Sequence, residues 1–183
     1  LVDMQEKVEI LEEQSKTFEK RIQEQQAKSM QDALTKLANR AAFDDYFAKQ
    51  IVRFHHKHFD LSIAVIDLDD FKRINDTFGH TAGDKTLQVV ANTLKSALNG
   101  DAFVARYGGE EFVVLLADSD TAGALQVARA IAQQLRTSEI PHRGSQICDY
   151  LTLSIGGAAF IPDSGHTPER ALEQADQALY KAK

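Results

Sequence analysis

The stretch VARYGGEEFVVLL at residues 104–116 has the pattern of a β-hairpin. Apolar runs on both sides of the glycine pair predict two short strands joined by a tight connection. Gly108 and Gly109 would give that connection its backbone freedom. A hairpin does not need two carboxylates, yet Glu110 and Glu111 stand at the start of a strand that its apolar residues predict to be buried. The acidic pair is therefore a candidate functional site.

The composition is typical of one globular domain with an appendage. The chain has 183 residues, 43% of them hydrophobic and 26% charged, with a formal net charge of −6. This charge argues against nucleic acid as a partner. We find no apolar run long enough to cross a membrane and no signal peptide, and the single cysteine, Cys148, excludes an internal disulfide. Because the first residue is Leu, we expect a longer protein with a sensory region upstream.

Residues 1–31 are predicted to form a separate helix that mediates dimerisation. They lack Gly and Pro and are dense in Glu, Gln and Lys. A stripe with heptad spacing runs along them, with Ser15 and Gln25 as polar interruptions; its apolar members are Leu1, Met4, Val8, Leu11, Phe18 and Ile22. A single solvated helix is one interpretation, but so narrow a stripe on a charged helix favours a parallel coiled-coil dimer.

From residue 32 to residue 183 the pattern is that of an α/β (α+β) domain. The predicted elements are a helix at 39–54, a strand at 61–69, helices at 70–78 and 81–98, the hairpin at 102–116, a helix at 119–137, a strand at 150–160 and a last helix opened by Thr167. This order favours a split βαβ-type sheet with helices on one face.

Carboxylates at the end of the first strand suggest a metal site. Asp67 stands where that strand ends, and Asp69 lies two residues on, on the same side. If the strand lies beside the hairpin, Asp67 approaches Glu110, and the two charges require a cation between them. Mg²⁺ prefers oxygen ligands and leaves positions for phosphates, so a two-metal nucleotidyl transfer site is one hypothesis. The alternatives are a salt bridge to a basic partner for Asp67 and a helix cap for Asp69. Strand alternation would send Glu111 to the face opposite that of Glu110.

The predicted helix at 70–78 offers a site for phosphates. Its N-terminus presents the amides of Asp70 and Phe71 and a favourable helix dipole. Lys72 lies on the first turn and could add a positive charge, although a lysine on a helix is by default solvated.

Two further polar residues could recognise guanine. Asn75 shares a helix face with the candidate phosphate site. Asp84 could accept from the guanine N1–H and exocyclic amine, a donor pair that adenine lacks. The spacing from Thr81 to Asp84 fits a capping box equally well.

The motifs resemble those of the GGDEF family of diguanylate cyclases. RYGGEEF (106–112) resembles the signature loop in its GGEEF form, and four more stretches match in the family's order: DALTKLANR (32–40, with Lys36 where Gly is usual), DLDDFKRINDTFGHTAGD (67–84), SIGGA (154–158) and ADQALYKAK (175–183). The resemblance covers residues 32–183. It implies a palm-like, ferredoxin-like sheet of about five strands flanked by helices, as in nucleotidyl cyclases, preceded by a long helix.

The resemblance also implies an enzyme that condenses two GTP into cyclic di-GMP and two pyrophosphates across a homodimer of facing catalytic domains. Asp67, the Leu68 carbonyl and Glu110 would hold two Mg²⁺ or Mn²⁺ ions per site, Glu110 would be the general base, and Glu111 would support them. The implied substrate-binding residues are Asn75 and Asp84 for guanine, then Asp70, Phe71, Lys72 and Lys183 for the phosphates, with Gly108 and Gly109 clearing space for the triphosphate.

One family feature is missing. The product-inhibition motif Arg-x-x-Asp would occupy positions 99 to 102, which hold Asn99 and Ala102, with Asp101 one place off. We therefore predict no strong product inhibition there.

The alternative functions are a non-catalytic receptor for GTP or cyclic di-GMP, signalling through its coiled coil, and a cyclase that makes a mixed cyclic dinucleotide. The expected location is the bacterial cytoplasm, with membrane anchoring of the longer protein left open.

Overall fold

A computed structural model describes residues 7–19, 30–98, 100, 102–143, 145, 147–162 and 167–183. Residues 7–19 are helical and are the described part of α1. The other elements are α2 (Arg40–Lys57), β1 (Leu61–Leu68), α3 (Phe71–Phe78), α4 (His80–Ala97), β2 (Ala102–Arg106), β3 (Glu111–Ala117), α5 (Thr121–Thr137), β4 (Leu153–Phe160), a 3₁₀ turn (Pro168–Arg170) and α6 (Ala171–Ala182). The predicted order of elements is confirmed.

The strands form an antiparallel sheet with the order β2-β3-β1-β4. It has four strands in the described part of the chain, whereas the resemblance implied about five. Pro141 and Tyr150 form an isolated bridge next to the sheet. Two backbone hydrogen bonds flank this bridge, from the His142 amide to the Asp149 carbonyl and from the Leu151 amide to the Ile140 carbonyl.

Helices cover both faces of the sheet, so the prediction of helices on one face is wrong. Ile66 and Leu68 of β1 pack with α3, α4 and α5. Ile63 and Val65 point the other way and pack with α2 and α6. A central strand buried on both sides is apolar throughout and does not show the alternation of a one-sided sheet. By strand alternation, Asp67 lies on the face that carries α6.

The start of α4 differs from the predicted capping box. Helix α3 ends at Gly79, as predicted, and α4 begins at once with His80. Gly79 has a φ of 83°, which a non-glycine residue rarely adopts, and no side chain caps the new helix. Thr81 therefore lies inside the first turn, and Asp84 is not part of a capping box.

The described part of α1 presents its apolar stripe to solvent in the single chain. Val8, Leu11 and Phe18 are 48%, 63% and 62% exposed. Residues 1–6 and 20–29 of the predicted coiled coil lie outside the described residues, as do Asn99 and Asp101 of the segment expected to lack product inhibition. In the part of the chain that the structure describes, no helix combines the length and apolar character needed to span a bilayer.

Candidate active site

Asp67 lies at the end of β1 between two neighbouring strands. It pairs with Glu111 of β3 on one side and Ser154 of β4 on the other, and it is 7% exposed. Its Oδ1 lies 2.8 Å from Lys183 Nζ. The contact is an ion pair, and this buried oxygen has no further hydrogen-bond partner among the described residues. The salt-bridge alternative for Asp67 is therefore present, and Lys183, predicted to meet phosphates, is the basic partner.

Both glutamates of the hairpin lie close to Asp67. The Leu68 amide donates to the Glu110 carbonyl oxygen at 3.4 Å, which places Glu110 beside the end of β1. Glu111 is the residue in direct cross-strand register with Asp67. Alternation was expected to send Glu110 and Glu111 to opposite faces, but it does not apply to this pair, because β3 begins at Glu111 and Glu110 lies in the connection before it.

The charges at this edge of the sheet are coupled. Burial raises the pKa of Glu110, and the negative charges of Asp67 and Glu111 raise it further, against the opposing effect of Lys183. Burial by itself lowers the pKa of Lys183, but the contact with Asp67 and the charges of Glu110 and Asp69 leave that pKa raised. One ammonium group thus faces an excess of negative charge.

The donor set fits a hard divalent cation. Carboxylates and a backbone carbonyl are the oxygen ligands that Mg²⁺ prefers, and Asp67 Oδ1 is a buried acceptor without a hydrogen bond from the described residues. Over the described ranges, no three His, Cys, Asp or Glu side chains form a cluster that could hold a metal ion. The predicted set of Asp67, Glu110 and the Leu68 carbonyl would therefore need water or substrate oxygens to complete the coordination.

The two glycines of the loop do not supply the backbone freedom that the hairpin pattern predicted. Neither Gly108 nor Gly109 has a positive φ, so the connection does not depend on the conformational freedom of glycine. A Cβ atom at Gly108 would collide with Glu111 Oε2, whereas a Cβ at Gly109 would meet open space. Gly108 thus makes room for the Glu111 carboxylate, and Gly109 leaves the surface beside the loop clear.

Asp69 does not cap helix α3, so that prediction is wrong. Its carboxylate accepts hydrogen bonds from Thr152 Oγ1 at 2.6 Å and Ser154 Oγ at 2.8 Å. Its amide donates to the Thr152 carbonyl at 3.0 Å. These bonds fasten the segment after β1 to the start of β4, so Asp69 has a structural role at the edge of the site.

The predicted phosphate site lies at the N-terminus of α3. The helix begins at Phe71, and the residue before it, Asp70, has φ 54° and ψ 25° and makes no side-chain cap bond. The first amides of a helix have no intrahelical acceptor, so they can serve a ligand. The Phe71 side chain is buried in the core, which leaves its amide as the group available there, and Lys72 is exposed beside it.

Asn75, one of the two candidate guanine-binding residues, lies where α3 packs on α4. A Cβ atom at Gly83 would collide with the Asn75 side-chain amide, so that amide lies directly over Gly83 and one residue away from Asp84 along the chain. Asn75 is half-buried and Asp84 is exposed. Gly83 therefore allows the close approach of α3 to α4 at this point.

Arg106 ties the loop to the segment that precedes α2, a connection that the sequence did not indicate. Its guanidinium donates to the Asp32 carboxylate at 3.2 Å and to the Gly109 carbonyl at 2.8 Å. Burial by itself raises the pKa of Asp32, but hydrogen bonds from Thr35 and Arg106 outweigh burial and leave the pKa lowered. The half-buried ion pair of Arg106 and Asp32 thus fixes the loop that carries the glutamates to the segment before α2.

Comparison with known proteins assigns this arrangement to a family. A sequence profile described as "Diguanylate cyclase, GGDEF domain" matches residues 29–183. The chain belongs to the GGDEF family. This GGDEF domain is 40% identical to "Diguanylate cyclase DgcP" of Pseudomonas aeruginosa over 184 residues, 98% of this chain and 26% of that protein. It is 37% identical to "Diguanylate cyclase DosC" of Escherichia coli over 154 residues, 83% of this chain and 32% of that protein.

The GGDEF domain therefore spans about a quarter to a third of the length of these two relatives. Among solved structures, the coiled coil and GGDEF domain of DgcB from Caulobacter crescentus, in complex with c-di-GMP, matches with a TM-score of 0.83 and 26% identity. The match covers 97% of this chain and 92% of that one. The mixed helix and sheet architecture is that of the GGDEF nucleotidyl cyclase-like fold.

Proposed function

We propose that this GGDEF domain is a diguanylate cyclase that converts two GTP into cyclic di-GMP and two pyrophosphates. The observation that carries the proposal is the cluster of Asp67, Glu110 and Glu111 at one edge of the sheet, next to the first turn of α3. Nothing in the fold requires three carboxylates there, and their mutual repulsion is relieved when cations and a triphosphate bind.

Substrate recognition would be divided between the two ends of α3. The Asp70 and Phe71 amides and Lys72 would meet the phosphates at its N-terminus. Asn75 would bind the guanine together with Asp84, which would accept from the N1–H and exocyclic amine. The position of the Asn75 amide over Gly83, the residue before Asp84, supports this assignment.

Asp67, the Leu68 carbonyl and Glu110 would hold two Mg²⁺ or Mn²⁺ ions. When bound, these ions would lower the pKa of the attacking 3′-hydroxyl and stabilise the pyrophosphate leaving group. Glu110, whose pKa is raised mainly by burial, would accept the 3′-hydroxyl proton as general base. Lys183 would leave Asp67 and pair with the phosphates. Each 3′-oxygen then bonds to the α-phosphorus of the other GTP, and each α–β phosphate bond breaks.

The reaction requires two facing domains, since each would hold one GTP. We infer that α1 pairs with a second copy of itself and raises the effective concentration of one domain for the other. The exposed apolar stripe of Val8, Leu11 and Phe18 supports this pairing. We expect this activity in the bacterial cytoplasm. Because Asn99 and Ala102 stand where the product-inhibition motif would have Arg and Asp, we expect no strong product inhibition at positions 99–102.

The cyclase activity is tested by incubating the purified chain with GTP and Mg²⁺ and separating the nucleotides by chromatography. Asp67→Asn and Glu110→Ala should form no cyclic di-GMP, while Asp45→Asn, a matched change at an exposed carboxylate paired with Lys49, should behave like the parent. Product from the Glu110 variant would refute the assigned role. GTP binding without product from the parent would favour a non-catalytic receptor, and a mixed dinucleotide from GTP and ATP would refute guanine selection.

The role of α1 in dimerisation is tested by measuring activity over a series of protein dilutions. Leu11→Glu with Phe18→Glu should lower specific activity most at low protein concentration, because the dimer dissociates. Ile10→Glu is the matched control, an equally exposed apolar residue off the stripe. Equal activity of parent and double variant across the dilution series would refute the pairing.

A further inference from the structure

Asp70 has a left-handed backbone conformation, which non-glycine residues adopt only occasionally, Asp and Asn most often. Its φ of 54° and ψ of 25° lie in the left-handed region, where the Cβ atom of an L-residue crowds the following backbone. Such a conformation persists where the surroundings hold it in place, and it recurs at functional sites. Here it turns the chain from the end of β1 into the first turn of α3.

Two side chains from the connection between α5 and β4 hold this residue. His142 Nε2 lies 3.1 Å from the Asp70 carbonyl oxygen, and Ser145 Oγ donates to Asp70 Oδ2 at 3.1 Å. A carbonyl can only accept, so Nε2 carries the proton and donates. The same carbonyl also accepts from the Arg73 amide at 2.8 Å, within the first turn of α3.

The connection that supplies these side chains is itself anchored. The His142 amide donates to the Asp149 carbonyl at 2.7 Å, and the Ser145 amide donates to the His142 carbonyl at 3.0 Å. His142 is 1% exposed, so its ring cannot move without opening the connection. A buried imidazole is a costly choice for filling space, because it brings polar atoms into the core. The hydrogen bond from Nε2 to the Asp70 carbonyl offsets part of this cost, while Nδ1 has no hydrogen-bond partner among the described residues.

We propose that His142 and Ser145 are positioning residues that lock Asp70 in its left-handed conformation and so direct the first amides of α3 toward the triphosphate. The inference rests on the proposed function for the identity of the ligand. It adds two residues that touch neither the predicted metal ions nor the guanine, and it predicts an effect on binding of the phosphates that leaves the preference for guanine unchanged.

The experiment measures hydrogen exchange of the segment 68–74 without nucleotide, and binding of 3′-deoxy-GTP with Mg²⁺ by calorimetry. His142→Phe keeps a buried ring of similar shape but removes the donor, and Ser145→Ala removes a single hydroxyl. Both variants should speed hydrogen exchange of the segment and lower the affinity for 3′-deoxy-GTP by about two- to tenfold, the effect of one lost hydrogen bond. The ratio of GTP to ATP affinity should stay at the parent value.

Two controls separate positioning from general stability. His142→Gln places an amide donor near the position of Nε2 and should restore slow exchange and most of the affinity. Ser62→Ala removes a comparable hydrogen bond, Ser62 Oγ to the Ser119 carbonyl at 2.7 Å, at the other end of β1, and should leave both readouts unchanged. Parent-like exchange in both His142→Phe and Ser145→Ala would overturn the proposal. So would a His142→Gln variant as impaired as His142→Phe. If the parent binds no 3′-deoxy-GTP, the proposed function fails, and the exchange data alone decide whether the lock on Asp70 exists.

Discussion

Replacing Gly156 with Ala should separate helix α6 from the sheet. A Cβ atom at position 156 would collide with the Leu179 amide nitrogen and the Ala175 carbonyl oxygen, both backbone atoms of α6. Helix backbone cannot rotate aside as a side chain can. The strand and the helix must therefore move apart, and the buried contacts between them loosen.

The cost can be estimated from the contacts. Forcing one extra methyl group into a packed site costs about 1–3 kcal/mol, and a clash with two backbone groups places Gly156→Ala near the upper end, at about 3 kcal/mol. For a chain of this size each kcal/mol lowers Tm by about 2–4 °C, so we expect a fall of about 6–12 °C. Because α6 also carries Lys183 to Asp67, cyclase activity should fall with stability.

The assay is thermal unfolding followed by circular dichroism, with Gly157→Ala as the matched control. A Cβ at Gly157 would lie 3.4 Å from the Ile63 carbonyl oxygen, an ordinary contact, so its Tm should stay within about 2 °C of the parent, as for a tolerated surface change. Equal Tm values for the two alanine variants would refute the packing argument.

Three other predictions concern charge and guanine binding. Hydrogen bonds lower the pKa of Asp32 despite its burial, so the carboxylate stabilises the fold above about pH 4 and loses that effect as the pH falls. In urea unfolding, the free energy of unfolding of Asp32→Asn should lie below that of the parent at pH 7, and the difference should shrink at pH 3. An equal difference at both pH values would contradict the pairing with Arg106. Lys183→Gln removes the cation beside Asp67, so Mn²⁺ should bind several-fold more tightly without nucleotide, as measured by electron paramagnetic resonance; unchanged affinity would show that the lysine does not compete. Gly83→Ala should displace the Asn75 amide and reduce the preference for GTP over ATP in calorimetry; unchanged selectivity would exclude Asn75 from guanine recognition.

Local sequence signals were sufficient for the elements and for the choice of candidate site residues. An aspartate at the end of an apolar strand, Asp67, and a glutamate beside two glycines, Glu110, stand out because each breaks a pattern that burial imposes on its neighbours. Gly79 marked the end of α3 for the same kind of reason, since few other residues adopt its backbone angles. These signals act over a few residues, so one sequence displays them directly.

The strand register, by contrast, was decided by tertiary structure. Whether Glu110 or Glu111 lies opposite Asp67 depends on how both faces of β1 are buried, and a shift of one residue would exchange the two. The helices on both faces followed from the same packing.

Partners from distant parts of the chain were also beyond the reach of sequence patterns. Lys183 reaches Asp67 from the end of α6, Thr152 and Ser154 hold Asp69, and His142 holds Asp70. None of these residue types is unusual where it stands, because a hydrogen bond made across the fold leaves no periodicity or composition in the segment that donates it. The sequence alone thus determined which groups could perform the chemistry, and the tertiary structure decided which partners hold them in place, because those partners are set by packing between segments that are far apart in the chain.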